Sequence, residues 1–339
     1  MDARAFGRQG HRFAAPMIVA ALLAWALVAP LTARAQEATP AADLAGAVTA
    51  AGSGTLGPVI EAAAEAFAAE APDIAVEVEI SSSGAGLKRF CAGETDLANS
   101  GRLIKEDEEA ACAAAGIDYD VFEVAFDGVT VVVNPENDFA SCLTVEQLQR
   151  AWEPESPVAT WQDLDPAWPA DPLALHARGE DSGTYQFFTQ VTVGEEGVSR
   201  ADYTVHDSHQ AIADAVAADP NALGVLPFPR YEENQDTVKL LDVDGGDGCV
   251  SPSPETILDG SYAPLSRSMY LYAKRDSLTR PEVAAFLRFY IADHVAFAEA
   301  AGLVADPDET VQTDLQTKLD DAIAGTSDPD GPPAATPTP

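Results

Sequence analysis

The sequence predicts an α/β protein of two lobes, and three observations lead there. Strand-like and helix-like segments alternate along the chain, the pattern of largely parallel sheets flanked by helices. About 290 residues separate a signal-like start from a polar tail, more than one small core needs, so length favours two lobes. Three short polar segments each fall between a strand and a helix, where an open parallel sheet places its ligand crevice.

Residues 1–35 read as an export signal. Arg4, Arg8, His11 and Arg12 make a positive start, Phe13 to Leu31 is an apolar run, and Ala33-Arg34-Ala35 is a small-x-small cleavage site. Cleavage after Ala35 would release a periplasmic chain beginning at Gln36. A membrane anchor is the other reading of such a run, but its Ala and Pro richness and the cleavage motif favour a signal, and no cysteine stands there to carry a lipid. Residues 36–45 read as a linker, and 326–339, made of Asp, Pro, Gly, Ala, Thr and one Ser, as a disordered tail.

The net charge is −36, and losing residues 1–35 removes four arginines and one aspartate, leaving −39. Such a field repels nucleic acid and anionic membranes and fits a saline habitat or selection for solubility. An anion could be held only by local donors in a sheltered cleft. All four cysteines follow the signal, and an even count in an exported chain suggests two disulfides. Three pairings are open; Cys91–Cys112 with Cys142–Cys249 is favoured because the first two flank one short acidic segment. Metal ligation lacks a C-x-x-C spacing or a nearby histidine.

Ala47–Ala51 and Ile74–Ile80 read as strands, with an Ala-rich helix between them that sets Ile60, Ala64 and Phe67 on one face. Val129–Val133 is a β-branched run expected to be buried, and Leu173–His176 a short strand. Gln186–Val191 continues a helix opened by Asp181-Ser182-Gly183-Thr184. Met269–Ala273 resumes strand character before a helix from Pro281 to about Ala300.

The three polar junctions are Gly52-Ser53-Gly54-Thr55, Ser81 to Gly86, and Arg178 to Thr184. The first helical N–H groups lack intrahelical partners there and the helix dipole is positive, so a tetrahedral oxyanion fits. Hydroxyls add donors, glycine admits close backbone approach, and Arg178 suits bidentate contact with two oxygens. Each segment alone is more often an ordinary helix cap; together, in an exported chain, they point to anion binding. His206 and His209 lack a third ligand and read as surface residues. Trp152, Trp161 and Trp168 read as packing of an irregular loop, and Glu106–Glu109 as a solvated helix start. No G-x-S-x-G elbow, H-E-x-x-H pair or histidine matched to Ser83 or Ser182 suggests a hydrolase.

From about Thr49 to Ala300 the chain resembles the phosphate-specific members of the type II periplasmic binding proteins, the receptors of phosphate ABC importers. The resemblance rests on Ser83 to Asp96, on Asp127-Gly128-Val129 to Asn134-Pro135, on Cys142 to Glu146, on Asp181-Ser182-Gly183-Thr184, and on Asn221-Ala222-Leu223-Gly224. It implies two α/β lobes joined by two crossover strands, with phosphate between them. The first lobe would combine 46–127 with 265–325, and the second would be 128–264. Thr55, the backbone of Leu56, Ser83, Arg178, Ser182, Gly183 and Thr184 match the family's phosphate contacts, with Gly84 beside them. Some members carry an aspartate near Gly101 to accept the proton of hydrogen phosphate; here the segment is Asn99-Ser100-Gly101-Arg102. Asp127 is the expected replacement, with a role in tying the hinge as its alternative, and Arg102 a second cationic ligand. The implied protein is a monomer that is not an enzyme, uses no cofactor or metal, and serves an inner-membrane ABC permease complex. A receptor for another tetrahedral oxyanion, a secreted phosphate-handling hydrolase, and a phosphate sensor or adhesive surface protein are the competing readings.

Overall fold

The computed structural model describes residue 41, residues 44–180 and residues 182–325. The expected signal, most of the expected linker, the expected tail and Asp181 lie outside the described residues.

In chain order the strands are β1 (Gly46–Ser53), β2 (Ile74–Ser81), β3 (Leu97–Ser100), β4 (Tyr119–Val133), β5 (Cys142–Thr144), β6 (Ala174–Ala177), β7 (Thr204–Val205), β8 (Ala222–Pro227), β9 (Lys239–Asp244), β10 (Cys249–Val250) and β11 (Ser266–Lys274). The first seven helices are α1 (Gly57–Glu70), α2 (Ser83–Cys91), α3 (Glu106–Ala115), α4 (Val145–Trp152), α5 (Trp161–Leu164), α6 (Gly183–Thr192) and α7 (His209–Ala218).

The first lobe starts from parallel pairing. β1 lies between β2 and β3, parallel to both, and parallel neighbours need a crossover, which α1 and α2 supply. α1 buries Val59, Ile60, Ala63 and Phe67. At 100° per residue these centre the apolar stripe on the Ala63 side, so Ala64, expected on that face, is only half-buried. The core joins Val48, Ile60, Phe67 and Phe122 to Leu271, Phe286, Tyr290 and Leu319 from the far end of the chain. Pro281–Ala292 and His294–Ala300 are two helices, not the single one expected. Asp293 between them leaves helical geometry at φ −121°, ψ 21°, and aspartate competes poorly for helix interiors.

The second core gathers Val129, Val131 and Val133 with Trp152, Trp161, Phe188 and Tyr262, while Val132, Ile212 and Val216 cover the opposite face. β6 pairs in parallel with β7 and β8. The strands between lobes are antiparallel, because the chain leaves the first lobe along β4 and returns along β11. Tyr119 to Gly128 of β4 pairs with β11, and Val129 to Val133 pairs with β8. The sheets are therefore mixed, with parallel pairing confined to each lobe's outer strands. One disulfide joins Cys91 to Cys112 and the other Cys142 to Cys249.

Glycine lets α2 rest directly on the end of β1. Gly52 has φ +148°, and a Cβ there would lie 1.9 Å from the Asn99 carbonyl oxygen; one on Gly86 would lie 2.4 Å from Gly52 Cα. Both obstacles are backbone, which cannot swing aside. Gly86→Ala is expected to destabilise the protein by about 2 kcal/mol or more, read as a lower urea midpoint; an unchanged midpoint would show that this packing is softer than described.

Candidate functional site

β1 runs into the turn Gly52-Ser53-Gly54-Thr55, where the Thr55 N–H donates to Ser53 Oγ at 3.1 Å. α1 follows with Leu56 at its N-cap position, wholly buried, and no side chain caps it. Pro58 in the first turn has no N–H and the Val59 N–H donates to Leu56 O at 3.1 Å, so this helix start presents the Leu56 and Gly57 N–H groups and the positive end of the dipole.

At the second junction Ser82 caps α2, its Oγ accepting the Ala85 N–H at 3.2 Å. Ser83 Oγ accepts the N–H of Gly101 at 3.0 Å, so its own proton remains for another acceptor. A Cβ on Gly84 would lie 3.4 Å from Arg102 Nη2. Arg102 is engaged within its own lobe: both terminal nitrogens reach the Glu108 carboxylate at 2.8 Å, and Nη1 also donates to Leu103 O at 3.0 Å. The guanidinium in turn holds Glu108 below the usual carboxylate range.

Arg178 follows β6, with Nη1 donating to the Asp207 carbonyl at 2.6 Å and its own carbonyl accepting from Tyr203 Oη at 3.2 Å. The turn closes when the Ser182 N–H donates to Gly179 O at 3.0 Å. Ser182 then caps α6, whose first residues are Gly183 and Thr184. This helix start lies against the first lobe. A Cβ on Gly183 would fall 2.3 Å from Thr55 Oγ1, and one on Gly54 would fall 3.6 Å from Gln186 Oε1. Two helix N-termini, one from each lobe, thus meet across a residue with no side chain.

Beside that meeting point the crossing strands place Asp127 directly opposite Arg267. Arg267 Nη2 donates to Asp127 Oδ2 at 3.1 Å and to Thr55 Oγ1 at 2.9 Å. Its Cζ stands 3.9 Å from the centre of the Phe187 ring of α6, and a Cβ on Gly101 would lie 3.0 Å from the same guanidinium. Asp127 has no solvent exposure, and its Oδ1 is buried without a partner, as is Arg267 Nε. Burial lifts the Asp127 carboxyl above the ordinary aspartate range, with Arg267 pulling the other way. Thr55, Ser83, Asp127 and Gly183 therefore converge around Arg267, which sequence reasoning missed. Its only local signal was an arginine two residues past the expected crossover at 265.

His206 and His209 are half-buried, less exposed than expected of surface residues. His206 Nε2 lies 3.0 Å from His176 Nδ1, and both rings are partly buried. His209 is pushed down to about 4 by burial and then by the nearby charges of Arg178 and Arg230. Among the described residues no group of three His, Cys, Asp or Glu side chains is placed to hold a metal ion. Trp152 and Trp161 are fully buried in the second core. An open cavity of about 350 Å³ lies away from the junctions, lined by Thr49, Glu77, Glu79, Arg89, Glu94 and Thr95. Arg89 there is already paired with Glu79 and Glu94, which makes it a poor place for an anion.

Residues 36–294 match the family model described as a PBP superfamily domain. The phosphate-binding protein PstS of Staphylococcus saprophyticus is 36% identical over 281 residues, 82% of this chain and 86% of that one. Among solved structures, a possible phosphate-binding protein from Planctomyces limnophilus superposes with a TM-score of 0.78 at 36% identity, covering 82% of this chain and 99% of that one. A putative phosphate ABC transporter substrate-binding protein from Clostridium perfringens, with bound phosphate, gives 0.52 at 26% identity, covering 77% of this chain and all of that one.

The depressed His209 carries a pH consequence. Its folded value of about 4 lies below the ordinary 6.5, so between these values the unfolded chain binds more protons and stability falls as pH drops below about 6.5. In urea titrations from pH 7 to 5.5, above most carboxylate titrations, His209→Gln is expected to flatten the decline. A slope unaltered by the substitution would contradict the assigned burial.

Proposed function

The chain belongs to the PBP superfamily, and we propose that it is the exported receptor that captures inorganic phosphate and delivers it to an ABC importer. The observation that carries this reading is the close meeting of two helix starts across Gly183, α1 from one lobe and α6 from the other, with hydroxyls and an arginine beside them. A tetrahedral dianion needs donors from many directions. A cleft closed by two helix N-termini offers them without a large net positive charge.

In this reading Thr55 and the Leu56 backbone meet the ion from the first lobe, together with Ser83 beside Gly84. Ser182, Gly183 and Thr184 meet it from the second, and Arg178 grips two of its oxygens. Thr55 Oγ1 accepts from Arg267, so its hydroxyl proton is aimed elsewhere and serves as a donor. Asp127 is the acceptor for the proton of hydrogen phosphate: its Oδ1 is buried, unpartnered and next to Thr55's own partner. Sulfate has no proton to offer a carboxylate at neutral pH, and an unmet buried acceptor is penalised. The chain works as a monomer in the periplasm, without metal or cofactor. It closes around its ion and is recognised closed by the permease. It binds stoichiometrically and does not turn over phosphate esters.

Calorimetric titration of residues 36–339, stripped of ligand, is expected to show tight one-to-one phosphate binding that sulfate does not displace at high salt. Absence of phosphate binding would leave only the fold in common with the family. Asp127→Asn is expected to narrow the preference for phosphate over sulfate by about 100-fold. In the parent protein, sulfate should compete better as pH falls, because a protonated Asp127 donates where the carboxylate could only accept. A preference untouched by Asp127→Asn would remove that residue from the site. Gly183→Ala places a methyl group against Thr55 Oγ1 and the Thr55 N–H. X-ray scattering should then show that saturating phosphate contracts the parent but leaves the variant extended.

A further inference from the structure

We infer that Arg267, carried by a crossing strand and not by a helix start, is a direct ligand of the bound anion and supplies the cleft's second positive charge. The inference rests on the phosphate reading above and extends its donor set.

Four observations support it. Arg267 bonds to Thr55 Oγ1 and Asp127 Oδ2 through Nη2, while its Nε–H is buried and unpartnered. A buried guanidinium N–H without an acceptor is expensive, and an oxyanion oxygen is the acceptor it lacks. The orphaned Asp127 Oδ1 lies on the same ion pair, so one unmet donor and one unmet acceptor stand together. A protonated oxyanion offers the complement, a bare oxygen and a hydroxyl. Finally, the guanidinium touches elements of both lobes: Thr55 and the Gly101 turn on one side, the Phe187 face on the other.

The alternative candidate, Arg102, is gripped bidentately by Glu108 and offers an incoming anion a compensated charge. Arg267 has only the single Nη2 contact to its carboxylate, and its fork keeps further N–H groups in hand. In a chain with a net charge of −36, an anion gains little from long-range attraction, so a second cation inside the cleft does what the outer field cannot.

Arg267→Gln alone would strand a buried carboxylate, so the decisive comparison is Asp127→Asn against Asp127→Asn/Arg267→Gln. Neither variant contains that carboxylate, and a purely structural Arg267 has no ion pair left to serve in either. Urea midpoints of the two are expected to be similar. In calorimetry with inorganic phosphate, the double variant should bind about 100-fold more weakly than the single one, with a shallower dependence of affinity on salt. Equal phosphate affinity in the two overturns the inference while the phosphate reading stands, provided the parent binds. A parent chain that binds no phosphate overturns both. Arg267→Lys, which keeps the charge and loses the fork, should fall between parent and Arg267→Gln.

Discussion

The buried charge of Asp127 constrains everything around it. It lies where β4 leaves the first lobe, with no exposure to water, and removing an ionised carboxylate from solvent carries a penalty of about several kcal/mol unless a partner is fixed nearby. The partner is Arg267, set opposite by the ladder between β4 and β11. A slip of one residue in that ladder would turn one of the two to the other face of the sheet. The ion pair therefore specifies the register of the crossing strands, and through them the place of Thr55 against Gly183. Only one carboxylate oxygen is satisfied by Arg267. The other oxygen is left with an unmet demand for a donor, which is the ground for the acceptor role proposed for it.

The acidity of the chain sharpens the problem of holding an anion. Exposed charges are screened within about 8–10 Å at physiological salt, so the outer carboxylates would matter less to an ion inside the proposed cleft. In the proposed reading it there meets partial charges at the starts of α1 and α6, which are oriented by the backbone and cannot be lost to a proton. Arginine has the same advantage over lysine, since it stays charged when desolvated. Helix ends, hydroxyls and guanidinium groups thus form a donor set largely indifferent to the environment outside.

Much of this was legible in the sequence because it is encoded locally. Strand–glycine–helix junctions announce themselves within a few residues, and so Thr55, Ser83 and Ser182 to Thr184 could be singled out. Asp127 came into view only through the family resemblance, as a carboxylate at a strand end near the expected crossover. Arg267 did not, because its meaning comes from pairing with a residue 140 positions earlier, and no local periodicity reports such a neighbour. The same blindness affected Arg102, whose commitment to Glu108 depends on the turn into α3. It also affected His206, which meets His176 only once β7 is laid beside β6. The antiparallel return of β11 was hidden too, since strand character in a window says nothing about direction.

The two disulfides acquire a mechanical meaning from this arrangement. Cys91 and Cys112 tie α2 to α3 on the first lobe, and Cys142 and Cys249 tie β5 to β10 on the second. Neither involves β4 or β11, the strands that run between the two cores. Each covalent tie removes freedom from the unfolded chain, and neither would restrain the proposed closure of one lobe on the other. With closure as proposed, disulfide formation can therefore harden the two lobes against heat and proteases without stiffening the joint, so durability and compliance can be selected independently in one polypeptide.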